Sequence, residues 1–142
     1  MAIKAERLVH LLLCGPPSSG KSLFMSSLTK LERSYYAVGS SSTKSGIFDY
    51  LFEYRPRFFI IDEIEKMNKK DQTSLLNLME SGILSELKHN QQRTTQLKTW
   101  VFASCNSTDK LLPPLLTRFR DIHFRPYTEE EFVDIVVNVL DR

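Results

Sequence analysis

Two glycines, Gly15 and Gly20, bracket four residues, and Lys21 and Ser22 follow at once. The stretch GPPSSGKS fits the pattern G-x-x-x-x-G-K-[ST], whose chemistry is the cradling of a phosphate chain. Glycine at both ends lets the backbone curl until successive N–H groups face one anion, and a helix starting there adds its positive end. Lys21 suits the outer phosphates and Ser22 a magnesium ion. The candidate nucleotide-binding set is Gly15, Pro16, Pro17, Ser18, Ser19, Gly20, Lys21, Ser22 and Leu23. The competing reading is a Gly-Ser turn with a chance lysine, which at average frequencies arises in roughly one chain of this length in a few hundred.

Further along, FFIIDEIEKM ends an apolar run on carboxylates. Asp62 suits a magnesium ligand, and Glu63 a general base acting on an attacking water. Glu65 and Lys66 read instead as the solvated face of an acidic helix start. In FASCNSTD, Asn106 could bond the terminal phosphate or orient that water, although a lone asparagine is more often a turn residue. Cys14 and Cys105 flank these positions and read as buried thiols, with a redox brake as the alternative. In PPLLTRFRDIHF, Arg118 and Arg120 surround Phe119 among apolar neighbours, where an unpaired guanidinium is costly. Each arginine needs a partner, water, or an anion from elsewhere.

These groups need a scaffold that gathers them, and the hydrophobic pattern supplies one. RLVHLLLC (Arg7–Cys14) reads as a buried strand stopped by a Gly-Pro-Pro turn. Ser22–Leu31 reads as a helix with Phe24, Leu28 and Leu31 inward. SYYAV is a second strand, and a polar loop from Gly39 to Ser45 leads to a short helix around Ile47–Phe52, ended by Arg55-Pro56. RFFIID is a third strand. Asn68 caps the next helix, with Asp71 at its third position, Leu75, Leu76 and Met79 inward, and Gly82 at its end. Ile83–Lys98 suggests a polar hairpin, TWVFASC a strand and DIHF a short one. Thr128 and Glu131 form a capping-box pair before a stripe of Phe132, Ile135, Val136, Val139 and Leu140. Trp100 reads as core, His10 and His123 as packed or edge residues, and His89 as loop. Strands alternating with helices imply an α/β fold, with ligands bound beyond the carboxyl ends of a parallel sheet.

The 142 residues suffice for one domain with a real core. A net charge of +2 excludes a polyanion partner held by bulk charge, so nucleic-acid contact would need local patches. Lys88, Arg93 and Lys98 in the hairpin could form one, although a solvated hairpin is the blander reading. No apolar run reaches the length of a membrane span, no secretory signal is evident, and the two cysteines show no framework spacing. A reducing, cytoplasmic setting is expected.

Taken in order, GPPSSGKS, FFIIDE, FASCN and LLTRF resemble the Walker A, Walker B, sensor-1 and arginine-finger elements of AAA+ ATPases, from about Leu8 to Phe124. The resemblance implies a P-loop NTPase three-layer αβα sandwich, its five-stranded parallel sheet ordered 5-1-4-3-2. Residues 1–126 would form the nucleotide-binding domain and 127–142 the start of a helical lid whose remainder is missing. ATP and Mg²⁺ are the implied cofactors, with Ser22 and Asp62 on the metal. Glu63, Asn106 and Arg118 are the implied catalytic groups, Arg118 reaching the ATP site of the next subunit in a homo-oligomeric, hexameric ring. Arg120 stands second for that role.

A narrower likeness joins ERLVHLLLCGPPSSGKS, IIDEIEKM, LLNLMESG and LLPPLLTRFRDI to the bacterial Holliday-junction branch-migration motor. The hairpin and LLTRF are similar to those of minichromosome-maintenance helicases. Both imply an ATPase motor acting on DNA, in the nucleoid or nucleus if not the wider cytoplasm. Asn106 departs from the threonine usual in the branch-migration motor. Rival readings are a clamp-loader or initiator switch, a protein-remodelling ATPase (the aromatic pore loop is not found), or an ATP-dependent assembly module.

Overall fold

The computed structural model describes residues 8–17, 19–40, 46–88, 90–126 and 128–140, without the side chains at 46, 88, 132 and 139. Its elements are β1 (His10–Cys14), α1 (Lys21–Leu28), β2 (Ser34–Val38), α2 (Gly46–Tyr54), β3 (Phe58–Asp62), a 3-10 turn (Ile64–Lys66), α3 (Lys69–Ser81), β4 (Ile83–Lys88), β5 (Gln91–Gln96), β6 (Trp100–Cys105), α4 (Pro113–Leu116), β7 (Phe119–His123) and α5 (Glu129–Leu140). Ser18, the loop at 41–45 and His89 lie outside the described residues.

Five strands form one parallel sheet in the order β2-β3-β6-β1-β7. Counted within that sheet alone, this is the expected order 5-1-4-3-2 read from the other edge. Successive strand residues face opposite sides, so Leu12 and Leu13 enter two different cores. On one side Leu12, Phe59, Ile61 and Val101 pack with Leu51 of α2, Leu75 and Leu78 of α3 and Leu115 of α4. On the other, Leu13, Ile60 and Phe102 meet Met25 of α1. That is a three-layer αβα sandwich, and β1, β3 and β6 are apolar on both faces for that reason.

Local chemistry sets the element ends. The Asn68 side chain accepts from the Asp71 N–H at 2.8 Å to start α3, and Gly82 ends it with its N–H on the Leu78 carbonyl. The polar stretch is an antiparallel hairpin, β4 against β5, anchored on the core by Leu84. At α5 the Glu131 N–H donates to Thr128 Oγ1 at 3.2 Å, while the Glu131 carboxylate accepts from Arg125. The helix carries exposed Val136 and Leu140. Among the described residues no helix is long and apolar enough to cross a membrane.

Two inward faces differ from expectation. α1 ends at Leu28, so Leu31 falls outside it and is exposed; Met25 is the apolar residue it buries. Phe24 is partly exposed and packs edgewise on Phe124, ring centroids 6.3 Å apart. The helix starts one residue before the expected Ser22, and it lays Met25, with Leu28 beside it, on Leu13, Ile60 and Phe102 of the sheet. Trp100 is only half buried, at the border of the smaller core.

Candidate functional site

β1 delivers the chain to a cavity at the carboxyl ends of β1, β3 and β6. The Gly15 N–H donates to the Cys105 carbonyl at 3.2 Å, and a Cβ at Gly15 would strike the Phe124 carbonyl oxygen. Gly20 takes φ 91°, a left-handed turn that starts α1 without a side-chain cap or an acidic residue in its first turn. The leading N–H groups of α1 therefore face the cavity with the helix's positive end. Lys21 is buried; its ammonium donates to the carbonyls of Gly15, Pro16 and Cys105 and to Asn106 Oδ1, the last at 2.6 Å. Ser19 Oγ is buried without a partner among the described residues.

β3 and β6, adjacent in the sheet, bring the carboxylates. Asp62 Oδ1 accepts from Ser104 Oγ and, at 3.0 Å, from the Glu63 N–H. Asp62 Oδ2 accepts from the Tyr36 hydroxyl at 2.8 Å. Burial first, and then this bond, raise the Tyr36 pKa to about 12, so the phenol stays protonated and donates. Glu63 sits at φ 53°, ψ 50°, a left-handed conformation that costs about 1 kcal/mol or more outside glycine. Its carboxylate pairs with Lys66 at 3.2 Å.

Glu65 corrects the sequence reading. It was expected on a solvated face, yet it lines the cavity: Oε1 accepts the Asn106 N–H at 3.3 Å, and Oε2 is buried without a partner among the described residues. The reason is the 3-10 turn, which rotates position 65 back toward the carboxyl end of β6 where a regular helix would turn it outward.

The cavity measures about 430 Å³ and gathers Pro17, Ser19, Gly20, Lys21, Ser22, Leu23, Asp62, Glu63 and Asn106 from the expected set. Gly15 and Pro16 contribute carbonyls to Lys21 rather than lining. Ser104 and Glu65 line it too, and Tyr36 reaches it through Asp62, without a motif to announce them. An ammonium, an orphaned hydroxyl and a helix start converge as donors and fit a polyphosphate. The Ser22 hydroxyl and Asp62 carboxylate on the same cavity are hard oxygen donors and fit Mg²⁺.

Arg118 is elsewhere. It immediately precedes β7, whose Phe119 pairs with His10 at the start of β1, so it stands at the amino edge of the sheet. Five strand residues, about 16 Å, separate that edge from its own cavity. Its guanidinium is ion-paired with Glu80 of α3, so of a partner, water or an outside anion its own chain supplies the first. Arg120 is exposed on the edge strand β7. Arg93 is no open cation either: it pairs with Asp49 and Glu86 and lies 4.0 Å over the Phe52 ring, which fits neither a phosphate contact nor a merely solvated hairpin residue.

Cys14 and Cys105 are register partners with sulfurs 3.6 Å apart and no disulfide. Burial pushes both thiols up, which leaves little reactive thiolate. His10 is buried; its Nδ1 accepts the Val101 N–H at 3.0 Å, and burial holds its pKa below the ordinary value despite a bond to the Met79 backbone. His123 is exposed on β7.

The profile of the "ATPase family associated with various cellular activities (AAA)" matches residues 11–127, most of the chain. The chain belongs to the AAA family of ATPases. Among individual relatives, it is 28% identical over 137 residues to the "Probable DNA helicase MCM9" of Oryza sativa subsp. indica, covering 78% of this chain and 20% of that protein. It is 26% identical over 126 residues to the "DNA replication licensing factor mcm2" of Xenopus laevis, covering 77% and 14%. The "DNA replication licensing factor mcm4" of Schizosaccharomyces pombe is 25% identical over 151 residues, covering 94% and 16%. The chain thus spans a fifth or less of the length of these relatives. As an AAA family member it carries the nucleotide-binding ATPase fold, and its resemblance to minichromosome-maintenance proteins extends across that fold.

Proposed function

We propose that this chain is the ATP-hydrolysing AAA+ core of a ring-forming motor acting on DNA, of helicase or branch-migration type. One observation carries the reading. Lys21, Ser22, Asp62, Glu63 and Asn106 share one cavity, while Arg118 stands at the far end of the sheet, too distant to act in that cavity, which supports a role at another subunit's site. A P-loop enzyme working alone has no use for that division.

In this mechanism the loop N–H groups and the start of α1 bind the phosphates, and Lys21 exchanges its carbonyl partners and Asn106 for phosphate oxygens. Ser22 and Asp62 would hold Mg²⁺, which when bound offsets charge on the outer phosphates. Ser104 and Tyr36 fix the Asp62 carboxylate by engaging both its oxygens. Glu63 takes the proton of the attacking water, released from Lys66 as it turns inward. Asn106, freed from Lys21, orients that water. Arg118 of the neighbouring subunit leaves Glu80 and stabilises charge developing on the transferred phosphoryl group. Residues 127–142 begin the lid domain, and the relatives' printed roles in DNA replication favour a nuclear or nucleoid setting.

The test is ATP hydrolysis measured with and without single-stranded and branched DNA. Stimulation by DNA supports the motor; turnover indifferent to DNA but raised by unfolded protein would assign it to the remodelling ATPases instead.

A further inference from the structure

At the end of the sheet remote from the ATP cavity, basic residues precede three adjacent strands. Arg33 immediately precedes β2, Arg57 immediately precedes β3, and Lys98 stands two residues before β6. The backbone ties the row together: the Arg57 N–H donates to the Arg33 carbonyl at 2.8 Å, and the Trp100 N–H to the Arg57 carbonyl at 2.9 Å. The spacing is thus that of neighbouring strands, about 4.8 Å each. Arg55, just past α2, closes the site. A cavity of about 450 Å³ is lined by these four cations with no carboxylate among its lining residues.

That absence distinguishes the cluster from three other arginines of the chain. Arg93, Arg118 and Arg125 each meet an acidic side chain. Arg33, Arg55, Arg57 and Lys98 form no ion pair among the described residues, although the chain holds 17 acidic residues against 19 basic ones. Four like charges around one cavity repel unless an anion joins them.

The cations are also held in place. Arg55 donates to Thr95 Oγ1 and the Gln96 carbonyl of β5, and Arg33 donates to the Arg55 carbonyl at 3.2 Å. Arg57 lies 5.7 Å over the Phe58 ring. Arg33 and Arg55 adopt positive φ of 59° and 49°, conformations that cost about 1 kcal/mol each outside glycine. Guanidinium groups fixed in advance lose little freedom on gripping a phosphate.

We propose that this pocket is a second, anion-binding site that grips the phosphodiester backbone of a nucleic-acid strand. A row of cations along a sheet edge matches a line of charges better than it matches one compact anion. The lining holds no aromatic ring and only Leu97 as an apolar side chain, so it reads charge and not base identity. The local patch also supplies what a net charge of +2 does not. Arg55 ties the grip to the β4–β5 hairpin. That the strand is DNA rests on the proposed function; the phosphodiester chemistry does not.

The experiment is fluorescence anisotropy of a short labelled oligothymidylate with the whole chain, in EDTA and without ATP, across a salt series. The Arg33→Glu/Arg57→Glu protein should bind about tenfold or more weakly, and its slope of log affinity against log salt should flatten by roughly 1.4 for two lost phosphate contacts on a single strand. Arg57→Gln/Lys98→Gln should show a smaller loss in the same direction, which guards against a folding defect in the reversal. Lys70→Glu, at the opposite end of the sheet, and Lys21→Ala should bind as the parent does. Equal affinity of the parent and both double variants overturns the proposal, as does a parent that binds no oligonucleotide at low salt. Complete displacement by millimolar inorganic phosphate also overturns it, since the site would then hold a single phosphate. ATP hydrolysis by the Arg33→Glu/Arg57→Glu protein, measured without DNA, should match the parent, so failure here leaves the ATPase reading standing.

Discussion

Gln72 offers the sharpest stability test, because its whole side chain is buried and every bond it makes is known. Its Nε2 donates to the Met67 carbonyl at 2.9 Å and the Lys110 carbonyl at 3.2 Å, and its Oε1 accepts the Leu112 N–H at 2.9 Å. The amide therefore ties the turn after Asp62 and Glu63 to the segment that leads from Asn106 to Arg118. In Gln72→Leu the volume is nearly kept and the bonds are lost. The Leu112 N–H and Met67 carbonyl are orphaned, at about 1–2 kcal/mol each. The Lys110 carbonyl keeps the Lys69 ammonium at 2.6 Å and loses little. The sum is a destabilisation of about 2–4 kcal/mol, or roughly 6–12 °C in melting temperature for a domain of this size. Calorimetry of the two proteins, with Lys70→Gln as an exposed control on α3, measures it. A shift under about 2 °C would refute the reasoning that unmet buried polar groups dominate at this site.

Three further outcomes are expected. Glu63→Gln should keep nucleotide binding and lower turnover by about 100-fold or more, while Glu65→Gln, whose Oε1 accepts the Asn106 N–H, should reduce kcat less; reversed magnitudes in steady-state assays would make Glu65 the base. Tyr36→Phe frees Asp62 Oδ2 and should lower the Mg²⁺ concentration for half-maximal nucleotide binding about fivefold, the equivalent of one hydrogen bond, read by a fluorescent nucleotide titrated with metal. His10 is neutral when buried, with its folded pKa below the unfolded value near 6.5. The unfolded chain therefore takes up the proton more readily, so stability is full above that value and falls as pH drops below it. Urea unfolding at neutral and mildly acidic pH checks this, and His10→Gln should flatten the dependence.

Much of the scaffold could be read in the residues, and the reason is locality. FFIID is β-branched and aromatic throughout, Asn68 and Asp71 form a cap three residues apart, and Gly82 ends the helix it follows. The phosphate-loop pattern is legible for the same reason: its glycines, lysine and serine fall within eight consecutive residues. What could not be read depends on strand order and long-range pairing. Tyr36 and Ser104 reach Asp62 only because β2 and β6 flank β3. Glu65 faces the cavity because a 3-10 turn, not an α-helix, follows β3. Arg93 and Arg118 lost their apparent openness to carboxylates 44 and 38 residues away. Of the basic pocket only Lys98 was legible as a candidate, because Arg33, Arg55 and Arg57 come from separate loops that only the sheet sets beside it.

The central claim is that one subunit's Arg118 completes the ATP site of the next. Its direct test mixes Lys21→Ala with Arg118→Ala protein and follows phosphate release. Each alone should be nearly inactive. In an equal mixture half the sites and half the fingers are intact, so random head-to-tail assembly should restore about a quarter of the parent rate. A mixture as inactive as its components, at concentrations where the parent is active, would contradict the account.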